Sequence, residues 1–545
     1  MARGKVQPVF YLSSLDPGAG KTQAIVNFLR SLGASKDHAH VGVLIGLSRL
    51  DDIRDMAERA GLSKHQYAIL TSDDALNMDG APSTNDAQVL FTTQQMLMSR
   101  TSGRLLKDVE EFLYLGRPRQ VRVWDEGFLP AKPITLRRDD LPDLIKLYRQ
   151  DYPRDAEELD RFHSELRSAD NGSIVSVPTL SRSCHRGITT LGLPHDVREL
   201  HKVLLSLSGR QVRVVVDGPK GHTLVDFADH LPADLAPLLI LDASIRVRET
   251  YRLWREAFPT RVQRLYASPK SYEYLRVHLW ERAAGQSELR HKRADFVNAA
   301  VSAIETKPDE EWLVFTYKRE KEKFERELTA LLPQGTRVHF ETWGQHKSTN
   351  KYRYVSNVIL LGVLNYPTSH LHALVLASSK TSSSEHPISA NTLRRTAEGE
   401  TKDHLLQALS RTKIRLCCPP ELRGGFCEAY VVGPAARGLK KAITEAFPGS
   451  LIIPWMEDTK QLSGRCGQVA DYLRQRFEDE DVDEIRFKEV REACDISKAS
   501  NFTNNVINHE AFRHWLNDEG LEVARGKFRR TQPLFDDDED EEDGT

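Results

Sequence analysis

Ser13-Ser14-Leu15-Asp16-Pro17-Gly18-Ala19-Gly20-Lys21-Thr22 follows the apolar run Val9 to Leu12 and opens a helical pattern with Ile25, Phe28, Leu29 and Leu32 on one face. A strand, a glycine-rich turn and a helix in that order are the context a phosphate-binding loop requires. Gly18 and Gly20 let backbone N–H groups turn toward phosphate oxygens, and the helix N-terminus adds positive dipole. Lys21 then reaches the β- and γ-phosphates, and Thr22 offers its hydroxyl to Mg²⁺. The expected nucleotide contacts are Gly18, Ala19, Gly20, Lys21, Thr22 and Gln23, with ATP and Mg²⁺ as cofactors. Leu15 stands where the first glycine of such a loop usually falls.

Downstream, Val121-Arg122-Val123-Trp124-Asp125-Glu126-Gly127 is a β-rich run ending in two adjacent carboxylates. Asp125 is placed to hold Mg²⁺ with Thr22, and Glu126 to polarise an attacking water. Short β-rich runs (Val9 to Leu12, His40 to Leu47, Val89 to Thr93, Val121 to Trp124, Leu238 to Leu241) alternate with helical patterns, which predicts a parallel α/β sheet. Between Arg137 and Asp234 that rhythm breaks. A polar helical stretch (Leu141 to Arg167), a loop at Asn171-Gly172 and a hairpin from Arg210 to Phe227, turning at Gly218-Pro219-Lys220-Gly221, read as an insertion. A second α/β unit spans about Ala294 to Trp455, with strands expected at Trp312 to Thr316, Arg337 to Phe340, Val358 to Leu361, Ala373 to Ala377 and Ala429 to Val432.

The chain has 545 residues, 40% hydrophobic and 28% charged, the balance of a multidomain protein with apolar cores. Its net charge of −2 conceals an acidic tail, Asp536 to Asp543, behind a mildly basic body. That asymmetry suits a polyanionic partner, and it equally suits a solubilising tail on an ordinary enzyme. The N-terminus, Met1 to Gln7, carries positive charge, but the apolar stretch Val9 to Leu12 is too short for a signal peptide, and no apolar run approaches a membrane span. Six cysteines without CxxC spacing read as reduced thiols, so the expected location is cytoplasmic.

The order of motifs resembles a superfamily 2 helicase, or a helicase-like translocase, of DExx type. Gly18 to Thr22 looks like motif I and Asp125-Glu126-Gly127 like motif II. Val43 to Leu50 is similar to motif Ia, Val89 to Thr93 to motif Ib, and Leu241-Asp242-Ala243-Ser244 to motif III. In the second half, Val314 to Tyr317 looks like motif IV, Gly344 to Asn350 like motif V, and Gln407-Ala408-Leu409-Ser410-Arg411-Thr412-Lys413-Ile414-Arg415 like motif VI. The resemblance implies two RecA-like lobes and nucleic-acid contacts at Ser48, Arg49, Thr92, Thr93, Thr349 and Asn350. It also implies that Gln407 and Arg411 join Lys21, Asp125 and Glu126 in catalysis, Arg411 as an arginine finger. The second motif VI arginine falls on Ile414; either Arg415 serves in its place or Arg411 acts alone.

From Gly467 the pattern turns to short helices, then a basic hairpin from Leu521 to Arg530. That is a winged-helix order. Its second helix offers Lys498, Ser500, Asn501, Thr503, Asn504, Asn505 and Asn508, and its hairpin offers Arg525, Lys527, Arg529 and Arg530 to nucleic acid. Plain packing or protein docking fits the module too, because its acidic side chains slightly outnumber its basic ones. The fold class is α/β: lobe 1 at 1–270 with the insertion at 137–234, lobe 2 at 271–460, a winged-helix-like module at 461–531, and a disordered acidic tail at 532–545. The expected function is an ATP-dependent helicase or translocase, DNA favoured over RNA, with a protein partner open to the tail and no membrane association. An ATP-gated loading protein and a terminase-like packaging motor are the alternatives.

Overall fold

A computed structural model of the chain describes residues 1–181, 194–218, 221–266, 270–344, 351–385, 387–418, 423–435, 438–455, 462, 464–477 and 482–531. The acidic tail, Thr349 and Asn350 lie outside the described residues. The chain divides into two compact units, Met1–Pro269 with Tyr366–Glu400, and Lys270–Asn365 with Thr401–Thr545.

The first unit is built on a seven-stranded parallel sheet. Its order is Val262–Arg264, Phe10–Ser13, Leu238–Leu241, Val121–Asp125, Val43–Leu47, Val89–Thr93 and Tyr67–Leu70. Strand alternation sends Val43, Ile45, Val121 and Val123 to a core with Ile25, Val26 and Leu29 of the helix Lys21–Gly33. Leu12, Leu44, Leu90, Trp124 and Ile240 face the other way, onto Phe128, Tyr251 and Trp254. Both faces are therefore covered, as a parallel sheet requires.

Arg119 is fully buried beneath this sheet and donates to five carbonyls: Val43, Gln88, Thr84, Ala87 and Leu113. Burial lowers its pKa to about 9, so it is cationic at neutral pH. Arg119→Met should cost about 3 kcal/mol, because it leaves buried carbonyls without donors. Faster amide exchange along Val43–Leu47 and Val89–Thr93 is the readout. Arg119→Lys should rescue little, since an ammonium cannot span the same fork of acceptors.

The insertion forms a separate four-stranded antiparallel sheet in the order Lys132–Arg137, Gly221–Ala228, Gln211–Asp217 and Ile174–Ser176. The helices Leu141–Asp151, Pro153–Leu166 and His195–Leu207 share its core through Leu144, Tyr148, Leu159, Phe162 and Leu204. A further helix, Thr368–Ser379, packs on this sheet, with Leu376 against Val215 and Val225. Asp217 accepts from the Ser369 N–H at 3.0 Å and so caps its first turn. Ala373 to Ala377, expected as a strand, lies inside this helix. The correction has a physical origin: residues 373–378 are all buried, and a short uniformly apolar run reads alike as an inner strand or a sequestered helix.

The second unit holds a six-stranded parallel sheet in the order Arg337–Thr342, Glu311–Thr316, Asn357–Leu361, Cys427–Gly433, Leu275–Glu281 and Leu451–Pro454. Trp312, Phe315, Ile359, Leu360 and Val431 are buried in it. Its C-terminal part places the helices Gly464–Phe477, Phe487–Ala493 and Glu510–Asp518 around a three-stranded antiparallel sheet of Glu484–Arg486, Lys527–Arg530 and Leu521–Ala524. Val469, Leu473, Val490, Phe502, Val506, Phe512 and Phe528 form its core.

Candidate nucleotide-binding and catalytic site

The phosphate-loop strand and the strand ending in Asp125 are not neighbours. Leu238–Leu241 runs between them, so Asp242, at its C-terminal end, lies between the two predicted motifs. Asp242 N–H donates to Ser13 O at 3.1 Å, and Glu126 N–H to Leu241 O at 3.0 Å, which fastens the strand ends to one another. In the loop itself, Gly18 and Gly20 have φ of 83° and 91°. These left-handed values suit glycine and turn the chain into the helix at Lys21.

Lys21 is half-buried, and its ammonium donates to Leu15 O at 2.7 Å. Burial pulls its pKa down, while Glu126, Asp242, Asp125 and Asp16 oppose that pull, Glu126 foremost. Asp125 is pushed up to about 7, first by burial and then by Glu126. Asp52 is raised for the same two reasons in the same order of cause, burial before Glu126, against the pull of Arg49. Burial and the like charge of Glu126 thus raise both acids, and a positive charge beside Asp125 would relieve that repulsion; among the described residues no group of three or more acidic, His or Cys side chains is arranged to hold a metal ion. The Thr22 hydroxyl and the Asp125 carboxylate are hard oxygen donors of the kind Mg²⁺ takes.

Several supports of the site were not found from sequence, although Glu126, Asp242 and Ser244, which they hold, were. Glu126 has φ of 63° without being glycine. The side chain of Gln94 donates to Asp125 O at 2.7 Å and to Glu126 O at 2.9 Å, and the Trp124 indole donates to Glu126 O at 3.0 Å. Those bonds hold a backbone that L-residues otherwise avoid. Buried Asp16 pairs with Arg246 at 2.7 Å, which ties the loop to the turn Ala243–Arg246. Asp242 accepts from Ser244 N–H, Ser244 Oγ and Tyr251 OH at 2.9, 2.7 and 2.6 Å. Nothing in the spacing of Gln94, Arg246 or Tyr251 marks them in sequence; only the strand order brings them here.

The remaining expected residues fall as follows. Ala19 is half-buried in the loop, and Gln23 is exposed, bonded to Asn27 and Arg59 at 3.0 and 2.8 Å. Ser48 is exposed, and Arg49 pairs with Asp51 and Asp52 at 3.5 and 3.9 Å. Thr92 is fully buried with its hydroxyl donating to Leu70 O at 2.7 Å, which removes it from reach of a strand, while Thr93 caps the helix Gln94–Arg100. In the second unit, Gln407 lies in the helix Ala390–Leu409 and Arg411 in the turn after it; both are buried. Ile414 is buried too, and Arg415 follows it in the turn Lys413–Arg415. In the C-terminal hairpin, Lys527 pairs with Glu484 at 2.6 Å, Arg529 pairs with Glu522, and Arg530 donates to Val482 O at 3.2 Å and lies over the Phe477 ring. Arg525 stands exposed at the tip.

Two parallel sheets, one carrying the phosphate loop with the carboxylate strand two places away, are two RecA-like lobes. Neither a family model nor a curated protein matches the chain. Among solved structures, the chain is similar to an apo form of XPD, with a TM-score of 0.46 and 12% identity over 83% of this chain and 98% of that one. It is also similar to Xpd4 of S. tokodaii, with a TM-score of 0.45 and 12% identity over 82% and 96%. For S. cerevisiae Dbp5 bound to RNA and ADP BeF3 the values are 0.37 and 11% over 83% and 86%. Among the described residues, no helix is long and apolar enough to cross a membrane.

Proposed function

We propose that the protein hydrolyses Mg-ATP to drive movement along nucleic acid, as a helicase or translocase, with DNA the favoured strand. The observation that carries this reading is the strand order: the glycine-turned loop that ends at Lys21 follows one strand, and the next two strands of the sheet end at Asp242 and at Asp125-Glu126. Lys21 would bind the β- and γ-phosphates, with the backbone N–H groups of the loop orienting them. Thr22 and Asp125 would hold Mg²⁺, which when bound neutralises phosphate charge. Glu126, fixed by Gln94 and Trp124, would orient and deprotonate the attacking water. Gln407 and Arg411 are assigned to the same reaction, Arg411 to the charge that develops on the transferred phosphoryl group. Strand displacement measured beside ATP hydrolysis tests the motor: turnover without displacement or stepping would leave an ATP-gated loading protein.

The C-terminal module is proposed to bind duplex as a winged helix. Ser500, Asn501, Thr503, Asn504, Asn505 and Asn508 are all exposed, opposite buried Phe502, Val506 and Ile507. Three of the four hairpin cations already have partners within the module, so Arg525 is the one set to meet phosphate. Arg525→Ala should reduce the log–log salt slope of duplex binding by about 0.9, the value for one phosphate contact. Lys527→Ala and Arg529→Ala should change it less, because each cation is partly neutralised by its glutamate. Equal effects from all three would place the whole hairpin on the backbone.

A further inference from the structure

We infer that Tyr266 is the platform on which the nucleotide base stacks, with Arg264 bracing the loop beside it. The inference rests on the phosphate-loop reading and adds the nucleoside end of that site.

Direction follows from strand order. Asp125 and Asp242 lie on one side of the phosphate-loop strand, at the ends of the next strand and the one beyond. In the phosphate-loop reading the metal and the attacking water are held by those carboxylates, so the terminal phosphates belong on that side. The nucleoside then leaves the loop toward the opposite side, where Val262–Arg264 is the neighbouring and outermost strand.

The register there is explicit. Leu12 pairs with Arg264, and Leu265 N–H donates to Leu12 O at 2.8 Å. Arg264 reaches across to Ser14 Oγ at 3.4 Å, at the first turn of the loop. Tyr266 is the next residue but one, two residues past the last strand pair, and continued alternation puts it on the same face as Arg264. Its surface is 96% exposed, more than that of any other large hydrophobic or aromatic side chain among the described residues. An aromatic ring left in water beside a phosphate loop presents a face to whatever the loop binds, and every nucleobase has a π-face to match it. Stacking of this kind reads no base edges, so ATP and GTP should depend on it alike.

The test is equilibrium binding of Mg-ATP, Mg-GTP and Mg-tripolyphosphate to the full chain. Tyr266→Ala should weaken both nucleotides on the order of tenfold, as loss of one base–aromatic stack does. Tripolyphosphate, which has no base, should bind unchanged, and Tyr266→Phe should keep parental affinity for all three. Unchanged nucleotide affinity in Tyr266→Ala would overturn the inference, and so would an equal loss for tripolyphosphate, which would make Tyr266 a support of the loop. Lys21→Ala separates this failure from that of the loop reading. If Lys21→Ala weakens all three ligands and Tyr266→Ala none, the base platform alone is wrong. If Lys21→Ala binds all three like the parent, the phosphate loop falls and the platform with it.

Discussion

Glu126→Gln should bind Mg-ATP with parental affinity and hydrolyse it at least about 10²-fold more slowly, the low end of what a positioned general base contributes. The substitution keeps size and backbone and removes only the charge that takes the proton from water. It also leaves in place the bonds from Gln94 and Trp124, which are made to the Glu126 carbonyl and not to its side chain. The left-handed backbone at φ 63° is therefore retained, and the loss can be attributed to the carboxylate. Nucleotide binding followed by calorimetry, beside single-turnover hydrolysis, separates the two quantities. Full turnover in the variant would show that another group activates the water.

Arg411→Ala should lower kcat on the order of 10³-fold while changing nucleotide affinity much less, because an arginine finger acts on charge that exists mainly in the transition state. Ile414 has no charge to offer, so its position cannot supply the second arginine that motif VI usually carries. Arg415→Ala, run in parallel, decides the remaining choice. A kcat loss as large as that of Arg411→Ala would make the two act together, and a small one would leave Arg411 alone. A rise in the nucleotide dissociation constant with kcat unchanged would instead make Arg411 a ground-state ligand.

The central strands were legible because each is a short β-branched or leucine-rich run closed by turn residues, as in Val43–Leu47, Val89–Thr93 and Val121–Asp125. The edges were not. Val262–Arg264 carries one apolar residue in three, and Tyr67–Leu70 is four residues long, so neither gives a periodic signal. The helix Thr368–Ser379 was hidden for the opposite reason, since apolar residues on every side erase the period of 3.6. Lys21, Asp125 and Glu126 could be read because phosphate and metal chemistry fix residue types at fixed places on a strand end. Their supports could not: Gln94 and Arg246 reach the site from other loops, and no local pattern records that. The hairpin cations illustrate the limit from the other side, since composition marks Lys527 and Arg529 as phosphate ligands while pairing commits them to Glu484 and Glu522.

The most direct measurement is ATP hydrolysis by the full chain with and without single-stranded DNA, and with single-stranded RNA in a third arm, beside Lys21→Ala under the same conditions. Hydrolysis should require Mg²⁺, rise several-fold on adding single-stranded DNA, rise less with RNA, and vanish in Lys21→Ala at every strand concentration. Hydrolysis that no polynucleotide alters, or that survives in Lys21→Ala, would contradict an ATP-driven motor acting on nucleic acid.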